Sequence, residues 1–453
     1  MKRVLPALML TLGVSLAQAA VWQETTQWNE EWENKYSAWV TTHVQTDMYT
    51  NVNSPFFGLA TDCADMTYFS RAIFSFENGL PFALNTRWDN GSERISNQTT
   101  RFDKVSDDVS VVKYRTDSGQ MREVTLPKTL NNGKLRAFLV AMGARVGTWS
   151  LPSDTYPVRV NKDQMRAGLV YLRQGYNRMS TWEAIQTFLT GTPPNPAAGP
   201  GHALLVHDVR PSGAIEFIQS TLPKKVRDLS MIYEVELLPT NNKLGFRRFI
   251  QPQHVGKSLS ALPGFSEEQL TELGRETMTR SNCNGESPDP ACFSSSARTQ
   301  KSSRRNITVF RQDIMSRLAS RKESDEEKQE RIIKSMCGAI KQRADVILTA
   351  ETTRLKMKGR CMDAGSWDNF STPSRDEQIR QFIKQIKFNS YADRTIKGCG
   401  DIKIDLTEKT YSISSLVENF KRDRTSSNPN EQIDARWGFD KERTSCSEPK
   451  LTN

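Results

Sequence analysis

An α+β first half followed by a mainly helical, disulfide-braced second half is the fold class that this 453-residue chain predicts. Three observations carry that expectation. Helical periodicity comes first and strand-like alternation follows, as in folds that segregate helices from an antiparallel sheet. Past Pro252 the chain turns rich in Ser, Gly, Pro and charge, then takes on a charged helical pattern from about Asn306. Six of the seven cysteines (Cys283, Cys292, Cys337, Cys361, Cys399 and Cys446) fall in that second part, and an even count can close into bridges. Cys63 stands alone, far upstream.

The N-terminus reads as an export signal. Met1-Lys2-Arg3 is basic, Val4 to Leu16 is apolar, and Ala17-Gln18-Ala19 supplies small residues for cleavage. That apolar run is too short to span a bilayer, and no later run is long enough for a transmembrane anchor. Residues 1–19 are therefore expected to be a signal peptide, and the mature chain periplasmic or secreted, where disulfides persist. A hydrophobic content of 37% supports real cores, and a net charge of +10 favours anionic surfaces. For an exported chain the expected partners are anionic envelope polymers, with no nucleic acid. Basic runs such as Lys301 to Arg305 alternate with acidic ones such as Glu323 to Glu327, the pattern of solvated helix faces.

Trp28, Trp32, Tyr36 and Trp39 recur at steps of four, four and three, which predicts an amphipathic helix from Gln27 to Thr46 docking an aromatic stripe on a core. Met66, Phe69, Ala72, Ile73 and Phe76 predict a second helix over Asp65–Phe76, stopped by Glu77-Asn78-Gly79 and capped by Asp62 or Thr61. Asn85 to Asp108 reads as a long polar loop. Val109–Tyr114 and Arg122–Leu126 alternate like strands, and helices are expected over Lys134–Gly143 and Lys162–Leu189. Strands follow over His202–Val209 and Ala214–Gln219 about the turn Arg210-Pro211-Ser212-Gly213, with a further strand pair over Met231–Leu237 and Leu244–Ile250. Beyond residue 256, a linker to 305 holds Cys283 and Cys292, for which a local bridge is the simplest pairing. Helical patches then cover Asn306–Met357, Arg375–Ile386 and Ser412–Phe420.

This reading places Cys63 at a helix N-terminus, where the helix dipole favours a thiolate. A nucleophilic thiol also needs a base, and the chain holds four histidines. His202 opens a strand after Gly199-Pro200-Gly201, so its imidazole can project from a sheet edge. A tight turn centred on Pro211 to Gly213 brings His202 within one or two residues of Gln219, Ser220 and Thr221. A side-chain amide there would fix the ring's tautomer and plane, which favours Gln219 as the third member and Ser220 as second choice. His207 has the opposite strand parity to His202. His43 and His254 have no evident partner. Metal-ligand spacings, phosphate-cradling glycine loops and dinucleotide fingerprints are not found in the sequence, so no cofactor and no metal is expected.

Asp62-Cys63-Ala64-Asp65 at a helix start, followed by Gly201-His202-Ala203-Leu204-Leu205-Val206 on a strand and a polar residue on the next, resembles the papain-like superfamily. Its bacterial branches include NlpC-like cell-wall peptidases and transglutaminase-like proteins. The resemblance covers residues 45 to 225 and implies a papain-like N-terminal domain, a Cys63 nucleophile, a His202 base and an orienting Gln219. Asp62 would shape the loop or bind a substrate amine, and Tyr49 or a backbone N–H would assist the Cys63 amide at the oxyanion. The 139-residue spacing between Cys63 and His202 exceeds that of compact cell-wall peptidases and implies an insertion.

Together these observations divide the chain into a signal at 1–19, a cysteine hydrolase domain at 20–255, a linker at 256–305 and a helical C-terminal domain at 306–453. The expected activity is cleavage of peptide or isopeptide amides, in cell-wall peptides first. Acyl transfer and a non-catalytic envelope-binding role are the alternatives.

Overall fold

The structure, a computed structural model, describes residues 20–116 apart from 90 and 92, 120–176, 196–233, 237, 244–267, 272–273, 301–404, 409–440, 444–447 and 449. The expected signal peptide and the Cys283–Cys292 bridge lie outside them.

The aromatic stripe folds as its spacing dictates. Helix α1 (Glu30–His43) is capped by Asn29, whose side chain accepts from the Trp32 N–H. It buries Tyr36 and Trp39, with Trp28 just ahead of it, against Phe74 of helix α2 (Cys63–Glu77). A buried two-pronged ion pair locks the helices together: Arg71 donates to Glu33 at 3.0 and 2.7 Å while stacking 3.4 Å from the Trp28 ring centroid. Helix α2 is buried from Cys63 through Ser75, so it runs through the core and not along a surface.

The stretch expected as one polar loop holds a short hairpin, β1 (Ala83–Arg87) and β2 (Arg94–Ser96). Its side chains are too polar and its strands too short to alternate visibly, and it is pinned through its backbone. Asp154 accepts from the N–H groups of Asn85 and Thr86 at 2.7 and 3.0 Å. Strands β3 (Asp108–Arg115) and β4 (Met121–Asn131) form where alternation was expected and pair with each other, and helix α3 is Gly133–Gly143. A short helix, α4 (Leu151–Asp154), leads into β5 (Thr155–Pro157).

The helix expected over Lys162–Leu189 is corrected: residues Val170–Tyr176 form strand β6, and 177–195 lie outside the described residues. Both faces of β6 are buried, Val170 and Leu172 in one cluster and Tyr171 in another. A strand covered on both sides loses the alternation that would reveal it. Strands β7 (Pro196–Val209) and β8 (Ile215–Gln219) form the expected hairpin. β9 (Ser230–Ile232) and β10 (Gly245–Phe249) do not pair with each other; β9 borders β8, and β10 sits between β5 and β6. Among the described residues the result is one antiparallel sheet in the order β5-β10-β6-β7-β8-β9.

Alternation along β7 sends Ala203 and Leu205 towards the α2 core, and Leu204 and Val206 to the opposite face. That opposite face is covered by helix α5 (Lys301–Leu318) through Phe310, Ile314 and Leu318. The remaining elements build their own core around the long helix α6 (Asp325–Lys356), which Ser324 and Glu327 cap reciprocally. Helices α7 (Ala364–Phe370), α8 (Pro373–Gln385) and α9 (Ser390–Lys397) follow, then hairpin β11 (Asp401–Ile404) and β12 (Lys409–Ser412), α10 (Ile413–Lys421) and α11 (Ile433–Trp437). Bridges Cys337–Cys399 and Cys361–Cys446 close this part, enclosing sequence separations of 62 and 85 residues. The architecture is thus mixed helix and sheet with a disulfide-braced helical end. Among the described residues, no helix is long and apolar enough to cross a membrane.

Candidate active site

Cys63 is the first residue of α2, and the local sequence explains why the helix begins there. Asp62 is the N-cap, its carboxylate accepting from the N–H groups of Ala64 and Asp65, both at 3.0 Å. Asp65 reaches back to the Asp62 N–H at 3.2 Å, completing a capping box with aspartate in the third position. Asp62, expected to bind substrate, is in the first instance the residue that fixes the helix start. Cys63 is a free thiol, 6% exposed, in the first turn.

Helix α2 packs against β7. The backbone N–H groups of Ala203, the residue after His202, and of Ala64 and Cys63 itself favour the thiolate. Val206 exchanges hydrogen bonds with Gly168 and Leu169, just ahead of β6, so by alternation the Ala203 N–H points the other way, towards the line of β8.

His202 pairs across the sheet with Arg173, immediately before the β6–β7 register shifts. In β7–β8, Leu205 faces Ile218 and Val206 faces Phe217, a register that sets Gln219 on the diagonal from His202. Gln219 Oε1 lies 2.5 Å from His202 Nε2. An amide oxygen only accepts, so this contact assigns the proton to Nε2 and leaves Nδ1 with its lone pair. Ser220, the second choice for this role, is engaged elsewhere: it exchanges hydrogen bonds with the hydroxyl and carbonyl of Thr61, each at 3.1 Å.

The electrostatics favour neutral partners. Burial pushes the Cys63 thiol up to about 11, and the Asp62 charge adds to that push, against the three N–H groups. Burial also lowers the His202 pKa from its ordinary value, assisted by the Arg173 charge and opposed by Gln219 and Asp62. Cys63 is thus favoured as a thiol and His202 as a neutral imidazole.

Tyr49 is fully buried, and its hydroxyl has no hydrogen-bond partner among the described residues. Burial and the Asp65 charge raise its pKa above the tyrosine range, so it cannot act as an anion. Asp65 accepts from Lys224 Nζ at 2.9 Å and is pushed up to about 6, chiefly by burial. Neither Asp65 nor Lys224 announces this pairing in the sequence, because 159 positions separate them.

His207 occupies a bulge between the pairs Val206–Phe217 and Asp208–Glu216, with Nδ1 3.5 Å from Glu216 Oε1. His43 stacks on Trp39, and His254 Nδ1 contacts Lys257 Nζ at 3.1 Å. Among the described residues no cluster of His, Cys, Asp and Glu is arranged to hold a metal ion.

No family model matches the chain, and no curated protein or solved structure does either. The functional reading therefore rests on this geometry.

Proposed function

We propose that this chain is an exported cysteine hydrolase of papain-like architecture that cleaves peptide or isopeptide amides, cell-wall peptides being the first substrate class. The observation that carries the reading is the contact of His202 Nε2 with Gln219 Oε1, on a strand against which helix α2, with Cys63 as its first residue, packs. Two disulfides and a free, buried thiol in one chain fit an exported protein that keeps one sulfur for chemistry.

In the proposed reaction, Cys63 Sγ attacks the amide carbon as its proton passes to His202 Nδ1. The Cys63 N–H at the start of α2 is the donor proposed for the developing oxyanion. The intermediate collapses to a thioester as the imidazolium protonates the departing amine, and water, deprotonated by His202, then releases the acid. An amine in place of water would give acyl transfer on the same residues. Because both groups rest neutral, proton transfer accompanies attack.

Burial of Cys63 favours one competing reading, a non-catalytic envelope protein with an inert thiol. Incubation with peptidoglycan stem peptides and mass spectrometry of the quenched protein separates the two. The proposal expects an acyl adduct on Cys63 and no turnover by Cys63→Ala. Turnover by a folded Cys63→Ala variant, or a Cys63 that never acquires an adduct with any amide or electrophilic analogue, would overturn it.

A further inference from the structure

The helical C-terminal part reaches the nucleophile through one strap of chain, residues 220–228, and one acid on α6. The strap is stitched to the loop that carries Cys63 along its inner side. Thr61 and Lys225 exchange backbone hydrogen bonds at 3.0 and 3.3 Å, and Ser220 bonds to Thr61 a few residues earlier. Lys224 holds Asp65, two residues past the nucleophile, at 2.9 Å. On its outer side the strap meets Asp345. Lys225 Nζ lies 3.1 Å from Oδ1 and Arg227 Nη1 2.8 Å from Oδ2, so the single carboxylate takes both cations. Arg227 folds back to donate to the Thr221 hydroxyl at 2.5 Å and to the Pro223 carbonyl, gathering the strap into a tight bow.

This docking is a built contact, because α6 also approaches the sheet closely nearby. A Cβ at Gly338 would stand 2.5 Å from the Met231 carbonyl oxygen of β9, a distance no side chain tolerates. The helix is therefore held at backbone range beside the strap, and Asp345, two turns further along, faces its two cations.

We propose that Asp345 is a positioning residue for the Cys63 site: by clamping Lys225 and Arg227 it holds the 220–228 strap against the Thr61–Asp65 segment and keeps the thiol buried in register. The C-terminal part is then a scaffold for the nucleophile and not an appendage. This deepens the cysteine-hydrolase reading and rests on it for the activity measurement only.

The test uses the full chain and follows carbamidomethylation of Cys63 by iodoacetamide, read by peptide mapping across a pH series, beside amide hydrolysis. Asp345→Ala is expected to alkylate about tenfold faster at neutral pH, since a loosened strap opens more often. Its alkylation profile should move to lower pH as the sulfur gains water, and hydrolysis should fall by about tenfold through lost alignment. The melting temperature should shift by only about 3 °C, as for one partly exposed ion-pair cluster. Asp345→Glu should restore the wild-type profile, and Asp345→Asn serves if the alanine variant does not fold. Faster alkylation of Asp345→Ala, in a protein without hydrolysis, upholds the clamp and defeats the hydrolase reading. An unchanged alkylation rate and profile in a folded variant overturns the clamp, whatever the wild-type activity.

Discussion

Strand β7 carries a histidine near each end of its regular pairing, His202 half-buried and His207 buried, and the two are equipped very differently. His202 stands where pairing to β8 has just ended, its Nε2 against a neutral amide. His207 sits in a bulge five residues on, buried beside the Glu216 carboxylate. Its ring nitrogens make no hydrogen bond among the described residues, and its Nδ1 is 3.5 Å from Glu216. Burial opposes ionisation of Glu216, and the His207 ring, the Tyr233 hydroxyl and nearby Lys334 overcome it, holding the carboxyl below its ordinary value. Arg210 and Tyr233 complete that cluster. Burial alone therefore does not make a histidine a base. At His202 a short contact fixes one nitrogen and leaves the other with its lone pair, whereas at His207 a carboxylate set in a web of cations makes a structural joint.

Exchanging the two histidines in turn gives the largest expected difference. His202→Ala should lower amide hydrolysis by roughly a hundredfold to ten-thousandfold, the span of a positioned general base, with little change in unfolding free energy. His207→Ala should leave kcat/KM within about twofold yet cost about 1–3 kcal/mol in urea unfolding, because a buried carboxylate loses a neighbour. Equal losses of activity in both folded variants would end the distinction between a base and a joint.

Next in size is the orienting contact. Gln219→Ala frees the His202 ring and should reduce kcat by about a hundredfold with KM nearly unchanged, as expected when alignment and not binding is lost. Gln219→Glu keeps an acceptor at the same reach and adds a charge that favours imidazolium, so its pH–rate profile should move to higher pH. A Gln219→Ala enzyme with wild-type kcat would mean that the ring is held by packing alone.

How much of this was legible beforehand follows from what each feature depends on. The N-cap at Asp62, the helix behind it and the His202–Gln219 approach rest on neighbours a few residues apart or on one tight turn. Local pattern was enough for them. The aromatic stripe of α1 was equally plain. β6 was read as helix because Val170, Tyr171 and Leu172 are buried on both faces, and two-sided burial erases the strand period. The β1–β2 hairpin escaped because its anchor is a distant carboxylate, Asp154, acting on backbone N–H groups. The strap, Lys224 on Asp65 and the Asp345 clamp join positions more than a hundred residues apart, and no periodicity or spacing encodes such meetings. What the sequence conveyed of the site was its two halves; what it withheld was the framework that holds them in register.

The smallest expected effect concerns pH, and it separates the histidines through stability instead of rate. The His202 pKa is lowered in the folded chain, so below its ordinary value of 6.5 the unfolded chain takes up a proton that the folded chain's ring resists. Its contribution is fully present above 6.5 and is lost as the pH falls towards the folded value. Asp65 runs the opposite way in an overlapping window. Held at about 6 instead of 3.8, it binds its proton more readily when folded, so acidification from 6 towards 3.8 relieves a cost. The wild-type curve is therefore a composite, and the informative quantity is a difference between variants. Urea unfolding of wild type and of His202→Gln at several values between pH 5 and pH 7.5 should show the wild-type advantage shrinking on acidification. The same comparison with Asp65→Asn should show the wild type's relative stability improving. If His207→Gln rather than His202→Gln removed the loss below 6.5, the ring that resists protonation would be the one in the bulge, and the base assigned to Cys63 would have to be reconsidered.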